Sequence, residues 1–112
     1  PRRLVAMLFD GYLEALAEAR GAMKAGRIDD KGRAIGRAVR IVDEGLRAGL
    51  NLEAGGRLAS DLHDLYGYHN LRLTQANLRN DEKALDECQR LIQPLRDAWN
   101  SISAQADRPA EH

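Results

Sequence analysis

The stretch Leu62-His63-Asp64-Leu65-Tyr66-Gly67-Tyr68-His69-Asn70-Leu71-Arg72-Leu73-Thr74-Gln75-Ala76-Asn77-Leu78 decides the fold. At about 100° per residue, Leu58, Leu62, Leu65, Tyr66, His69, Leu73 and Ala76 share one helical face. Gly67, Leu71, Thr74 and Leu78 fall nearly opposite. A helix in a small domain needs one apolar stripe to join the core. The second stripe asks for another partner.

The flanking sequence carries the same period. A first helix is expected from about Arg2 to Lys24, with Leu4, Val5, Leu8, Tyr12, Leu16 and Met23 on a broad face, ending near Gly26. Pro1 suits the first position of that helix, so a capping residue is expected ahead of it. Asp29 or Asp30 is the expected N-cap of a second helix reaching Ala48, with Gly49 in a left-handed C-cap. Its core stripe is Ile35, Val39, Val42 and Leu46, and Ala34, Ala38, Ile41, Gly45 and Ala48 form a second, small-residue stripe. Asn51 to Gly56 reads as the longest connection, and the third helix then ends near Arg79. Asn80-Asp81 is the turn and cap before a fourth helix, where Leu85, Cys88, Ile92, Leu95, Trp99 and Ile102 repeat at threes and fours and Pro94 should introduce a bend. No strand pattern competes, and short loops favour antiparallel neighbours. The fold class is therefore all-α, an antiparallel four-helix bundle over residues 1–103, with a flexible polar tail at 104–112. Its expected core is Leu8, Val39, Val42, Leu62, Leu65, Leu91, Leu95 and Trp99.

Composition narrows the function. A chain of 112 residues fits one domain, and its 17 Lys plus Arg balance 17 Asp plus Glu. No basic field marks nucleic acid. No apolar run approaches the roughly 20 residues of a membrane span. A single cysteine excludes an internal disulfide and suits the reducing cytoplasm.

Catalytic and metal-binding patterns fail one by one. His63 and His69, six apart, point away from each other on a helix. His69 reads as a hydrogen-bonded interior histidine, His63 as solvated and Cys88 as an inert core thiol. No Glu-x-x-His pair, haem motif, phosphate loop or buried nucleophile–base line appears. The reading is of a non-enzyme without metal or cofactor. One alternative is a histidine-phosphotransfer bundle using His63. Tyr66 stands there where the His-x-x-Lys-Gly setting has its lysine, so the cation that a phosphohistidine needs is missing locally.

The chain resembles the flagellin export chaperones, the FliS family, along nearly its whole length. The resemblance rests on Pro1-x-x-Leu4-Val5-x-Met7-Leu8-Phe9-Asp10-Gly11, Gly55-Gly56-x-Leu58-Ala59 and Leu62-x-x-Leu65-Tyr66-x-Tyr68. It continues with Arg72-Leu73-x-x-Ala76-Asn77, Asp81 and Arg96-Asp97-Ala98-Trp99. Phe9 stands where the family often has tyrosine, and Gly67 interrupts a more usual Tyr-Asp-Tyr. The resemblance implies a cytoplasmic chaperone that holds the C-terminal segment of flagellin, prevents its premature polymerisation and keeps it competent for type III export. A flagellar export gate component is a further implied partner, and the exposed stripes leave open a homodimer. In the family an N-terminal arm caps the groove and docks to the gate, and those roles are carried onto no residue of this chain. The groove is expected to gather Ala38, Ile41 and Gly45 from the second helix and Gly67, Tyr68, Leu71, Thr74 and Leu78 from the third, with Phe9 from the first. Ile41, Leu71 and Leu78 are expected to be exposed.

Overall fold

The computed structural model describes residues 2–106. Helix α1 spans Arg2–Ala25 and stops where Gly26 takes φ 72°, a left-handed value that costs glycine little. That turn lets Arg27 N–H reach the Ala22 carbonyl at 2.9 Å. Helix α2, Ile28–Arg40, follows directly. Neither expected aspartate caps it: Arg27 holds the capping position without a side-chain bond, and Asp29 and Asp30 lie in the first turn. Carboxylates there still meet the positive end of the helix dipole, and Asp30 pairs with Arg33.

The second helix does not run as a plain α-helix to Ala48. From Ile41 to Arg47 it widens into a π-helical segment, closed by Ala48 N–H on the Asp43 carbonyl at 3.2 Å. Gly49 takes no left-handed φ, and its N–H bonds the Gly45 carbonyl instead. The connection that follows is also shorter than its sequence suggests. Asn51 caps α3, its Oδ1 accepting from Ala54 N–H at 3.0 Å, and α3 spans Leu52–Arg79 with one break at Gly56 (φ 57°, ψ −138°).

The expected turn between the last two helices is present. Asn80 is left-handed at φ 50°, and Asp81 Oδ1 accepts from the N–H groups of Lys83 and Ala84 at 3.0 and 3.4 Å. Helix α4, Glu82–Ala106, continues through Pro94 and past Ser103. The rest of the expected tail, and Pro1, lie outside the described residues.

The four helices form an antiparallel ring in chain order. α1 packs on α2 and α4, α3 packs on the same two, and the diagonal pairs keep apart. Small residues set the spacing: Ala15, Ala19, Ala38, Ala76 and Ala84 are fully buried between helices. Tyr12, Leu16, Leu73, Leu85 and Ile92 fill the centre, together with the Cys88 thiol. Tyr12 of α1 and His69 of α3 meet across the diagonal. Of the expected core, Val42 is buried, while Leu8, Val39, Leu62, Leu95 and Trp99 pack against it at partial burial. Leu65 and Leu91 are only half-buried, so they flank the core. The bundle measures 57 Å along its axis, whereas α3, its longest helix, spans about 42 Å at 1.5 Å per residue. The helices are therefore offset lengthwise.

An open apolar end as the candidate functional site

At the end where α1 and α3 begin and α4 finishes, the offset leaves apolar stripes without a facing helix. α1 brings Val5 and Phe9, the π-helical segment brings Gly45 and Leu46, α3 brings Leu58, Leu62 and Tyr66, and α4 brings Leu95, Trp99 and Ile102. Together they enclose a cavity of about 370 Å³. The Trp99 indole N–H is already bonded to the Arg2 carbonyl at 3.1 Å, which leaves its rings as apolar wall. Leu58 and Ile102 line the cavity while remaining largely exposed, Leu58 at 70%. A second cavity of about 390 Å³ adjoins it, sharing Gly49, Leu50, Leu58 and Leu62 and adding Asn51, Ala54 and Gly55. A further depression, about 730 Å³ between α1 and α2, is walled by Glu18, Ile28, Asp29, Arg33, Arg37 and Arg40. Its wall mixes these charges with Ile28, so it offers less apolar surface than the end cavity.

The outer face of α3 is the second accessible surface. Leu71 and Leu78 are 54% and 79% exposed. Thr74 turns its hydroxyl back onto the Asn70 carbonyl at 2.9 Å, a local bond that needs no neighbour. Tyr68 is partly exposed, and its hydroxyl donates to Glu87 of α4 at 2.7 Å, where Arg72 Nε also donates at 2.8 Å. The Tyr68 hydrogen bond first, and then Arg72, hold the Glu87 carboxyl below its ordinary pKa.

The expected groove residues therefore divide. Phe9 and Gly45 line the end cavity, and Tyr68, Leu71, Thr74 and Leu78 share the outer face of α3. Ala38 and Ile41 need correction: Ala38 is fully buried, and Ile41 is half-buried against Gly11, where an added Cβ would lie 3.4 Å from Ile41 Cδ1. The small-residue stripe of α2 is thus the seat of α1. Gly45 shows the same purpose, since a Cβ there would come within 2.8 Å of Leu8. Gly67 lies beneath the Arg47 guanidinium, 3.5 Å from a would-be Cβ. The cavity walls Val5, Leu46, Leu50, Leu62, Leu95 and Trp99 were not singled out as a site from sequence. Their signal was a set of apolar stripes that overrun the bundle at one end.

His69 and Cys88 stand apart from both surfaces. His69 is fully buried and bonded to Tyr12, as an interior histidine should be. His63 is not simply solvated: Arg47 Nε donates to its Nε2 at 3.1 Å. The cation missing from the local sequence thus comes from the neighbouring helix, but it occupies a ring nitrogen. Burial pushes the Cys88 thiol above its ordinary pKa, away from the reactive thiolate. Among the described residues no cluster of three or more His, Cys, Asp or Glu could hold a metal, and no helix is long and apolar enough to cross a membrane.

Comparison with known proteins agrees with this geometry. Residues 1–106 match the family model of the flagellar protein FliS. The chain is 45% identical over 106 residues to the flagellar secretion chaperone FliS of Salmonella typhimurium, covering 95% of this chain and 78% of that protein. It is 46% identical over 103 residues to flagellar secretion chaperone FliSB of Pseudomonas aeruginosa, covering 92% and 81%. The flagellar secretion chaperone FliS of Bacillus subtilis is 29% identical over 112 residues, covering 100% and 81%. A helical bundle with an open apolar end and this extent of identity belongs to the FliS family of flagellar secretion chaperones.

Proposed function

We propose that this chaperone holds the C-terminal segment of flagellin, with the open apolar end as its principal seat. The observation that carries this reading is the cavity of about 370 Å³ whose rim residues Leu58 and Ile102 stay exposed. Exposed apolar surface around a concave apolar wall marks a place where another chain gains by leaving water. An amphipathic segment seats there as a helix in a groove, its apolar face covering Phe9, Leu62 and Trp99. Leu71 and Leu78 on α3 give the segment a second place to rest if it wraps the bundle. Covering its apolar face withholds that segment from filament assembly and keeps the client unpolymerised for type III export. Release then occurs by transfer to an export gate component, in the cytoplasm and without nucleotide.

Co-expression with flagellin, followed by pull-down with and without its C-terminal segment, tests the client. Calorimetric titration of a flagellin C-terminal peptide into Leu58→Asp tests the seat. Desolvating an unpaired carboxylate is costly, so a folded variant is expected to bind at least tenfold more weakly, about 1.4 kcal/mol. Unchanged affinity would move the seat away from this end.

A further inference from the structure

The first turn of α3 is joined to the rest of that helix through two glycines, Gly55 and Gly56, and each is required for a different reason. Gly56 holds φ 57° and ψ −138°, a region that glycine enters and side-chain-bearing residues avoid. Nothing lies within 4 Å of a Cβ placed there, so the requirement is purely conformational. At Gly55 the requirement is steric, since an added Cβ would lie 2.5 Å from the Ala59 Cβ. In an uninterrupted helix, positions four apart keep their Cβ atoms about 5–6 Å apart. Both glycines are therefore demanded by the kinked form, and a continuous α3 would need neither.

The continuous form has its own consequence for the site. At about 100° per residue, Leu52 would fall on the arc that carries Ala59, Leu62 and Tyr66. In the kinked form Leu52 is instead 50% exposed. The turn also walls the second cavity through Asn51, Ala54 and Gly55, and that cavity shares Leu58 and Leu62 with the open end. A change at Gly56 alone would thus remodel one wall and lengthen the apolar face by a turn.

We propose that Gly55-Gly56 is a two-state hinge: the kinked turn is the resting form, and a straightened α3 is the form that grips the client segment. The inference rests on the client reading given above. Rotation about one residue between two helical segments is a recognised way to move an element as a rigid body.

Spin labels on cysteines introduced at Glu53 and Asn100, in a Cys88→Ser background, report the distance between the turn and α4. Gly56→Ala is expected to shift the distance distribution away from that of the parent protein, with no client present. Gly55→Ala should shift it the same way and serves if Gly56→Ala does not fold. A flagellin C-terminal peptide should produce the same shift in the parent. Because affinity scales with the competent fraction, Gly56→Ala should bind that peptide at least about threefold more tightly. Parent-like distances in both glycine variants, with a lowered melting temperature, would overturn the hinge. Peptide binding that leaves the distances unchanged would overturn its role in gripping. If the peptide fails to bind the parent, the client reading falls, and the peptide-free distances still decide the hinge.

Discussion

Tyr12 and His69 sit on helices that keep apart, yet the tyrosine hydroxyl and His69 Nδ1 are 2.6 Å apart at the centre of the bundle. His69 Nε2 is buried there without a partner. Burial lowers the His69 pKa from 6.5 to about 4, because an imidazolium would add a desolvated charge and an unpartnered N–H. The unfolded chain titrates near the ordinary value, so between these limits only the unfolded state takes up the proton. Stability is therefore complete above about pH 6.5 and falls as the medium is acidified through that window. Moving from pH 7 to pH 5 should cost about 2 kcal/mol. Urea unfolding at the two pH values checks this, and the loss should largely vanish in His69→Gln.

Burial ranks the leucines of α3. Leu73 is fully enclosed, while Leu65 is half-buried beside the core. Leu73→Ala should cost about 2–5 kcal/mol through lost burial and an unfilled cavity. Leu65→Ala should cost clearly less, and chemical denaturation of the pair gives the comparison.

Lys31 is only 5% exposed and spans from α2 to the end of α3. Its Nζ donates to the Asn77 carbonyl at 3.0 Å and to Asn80 Oδ1 at 2.5 Å. The ammonium satisfies acceptors at the negative end of the α3 dipole. Lys31→Met keeps the apolar stem but strands those acceptors, and should lower stability by about 1–3 kcal/mol. Thermal melts of the variant and parent measure it.

Two acidic substitutions separate the internal stripe from the external one. Ile41→Asp places a carboxylate in the α1–α2 contact and should destabilise the free protein by several kcal/mol. Leu71→Glu lies in water and should change stability by less than about 0.5 kcal/mol. If the client wraps along α3, Leu71→Glu should nonetheless weaken flagellin-peptide binding about tenfold, or about 1.4 kcal/mol. Calorimetry on the folded variant provides the check.

The contrast between these stripes explains what the sequence could disclose. The helical period placed Leu73, His69 and Ala76 correctly because a regular helix turns by a constant angle. Asn80-Asp81 was legible because a left-handed residue followed by a capping carboxylate is local chemistry. Ala38 misled because small side chains equally suit an external groove and a tightly seated neighbour, and at Gly45 both hold, since it lines the end cavity and seats Leu8 of α1. Ile41 misled for the same reason: it shares the stripe of Ala38 and packs beside Gly11 of α1. The open end was not legible because it depends on the relative offset of four helices, which no single stripe records.

The ring order of the helices bears on how the chaperone is itself made. α1 has neighbours at both extremes of the chain: α2 next to it, and α4, whose Trp99 reaches back to Arg2 across 97 residues. α1, α2 and α3 can meet early through short connections, and such local contacts form quickly. The inner faces of α1 and α3 still wait for Leu85, Cys88 and Ile92. On the ribosome, where domains are released from the N-terminus onwards, the nascent chain carries an uncovered seam until α4 emerges. A member of a secretion-chaperone family therefore passes through its own interval of exposure, which closes only when α4 packs.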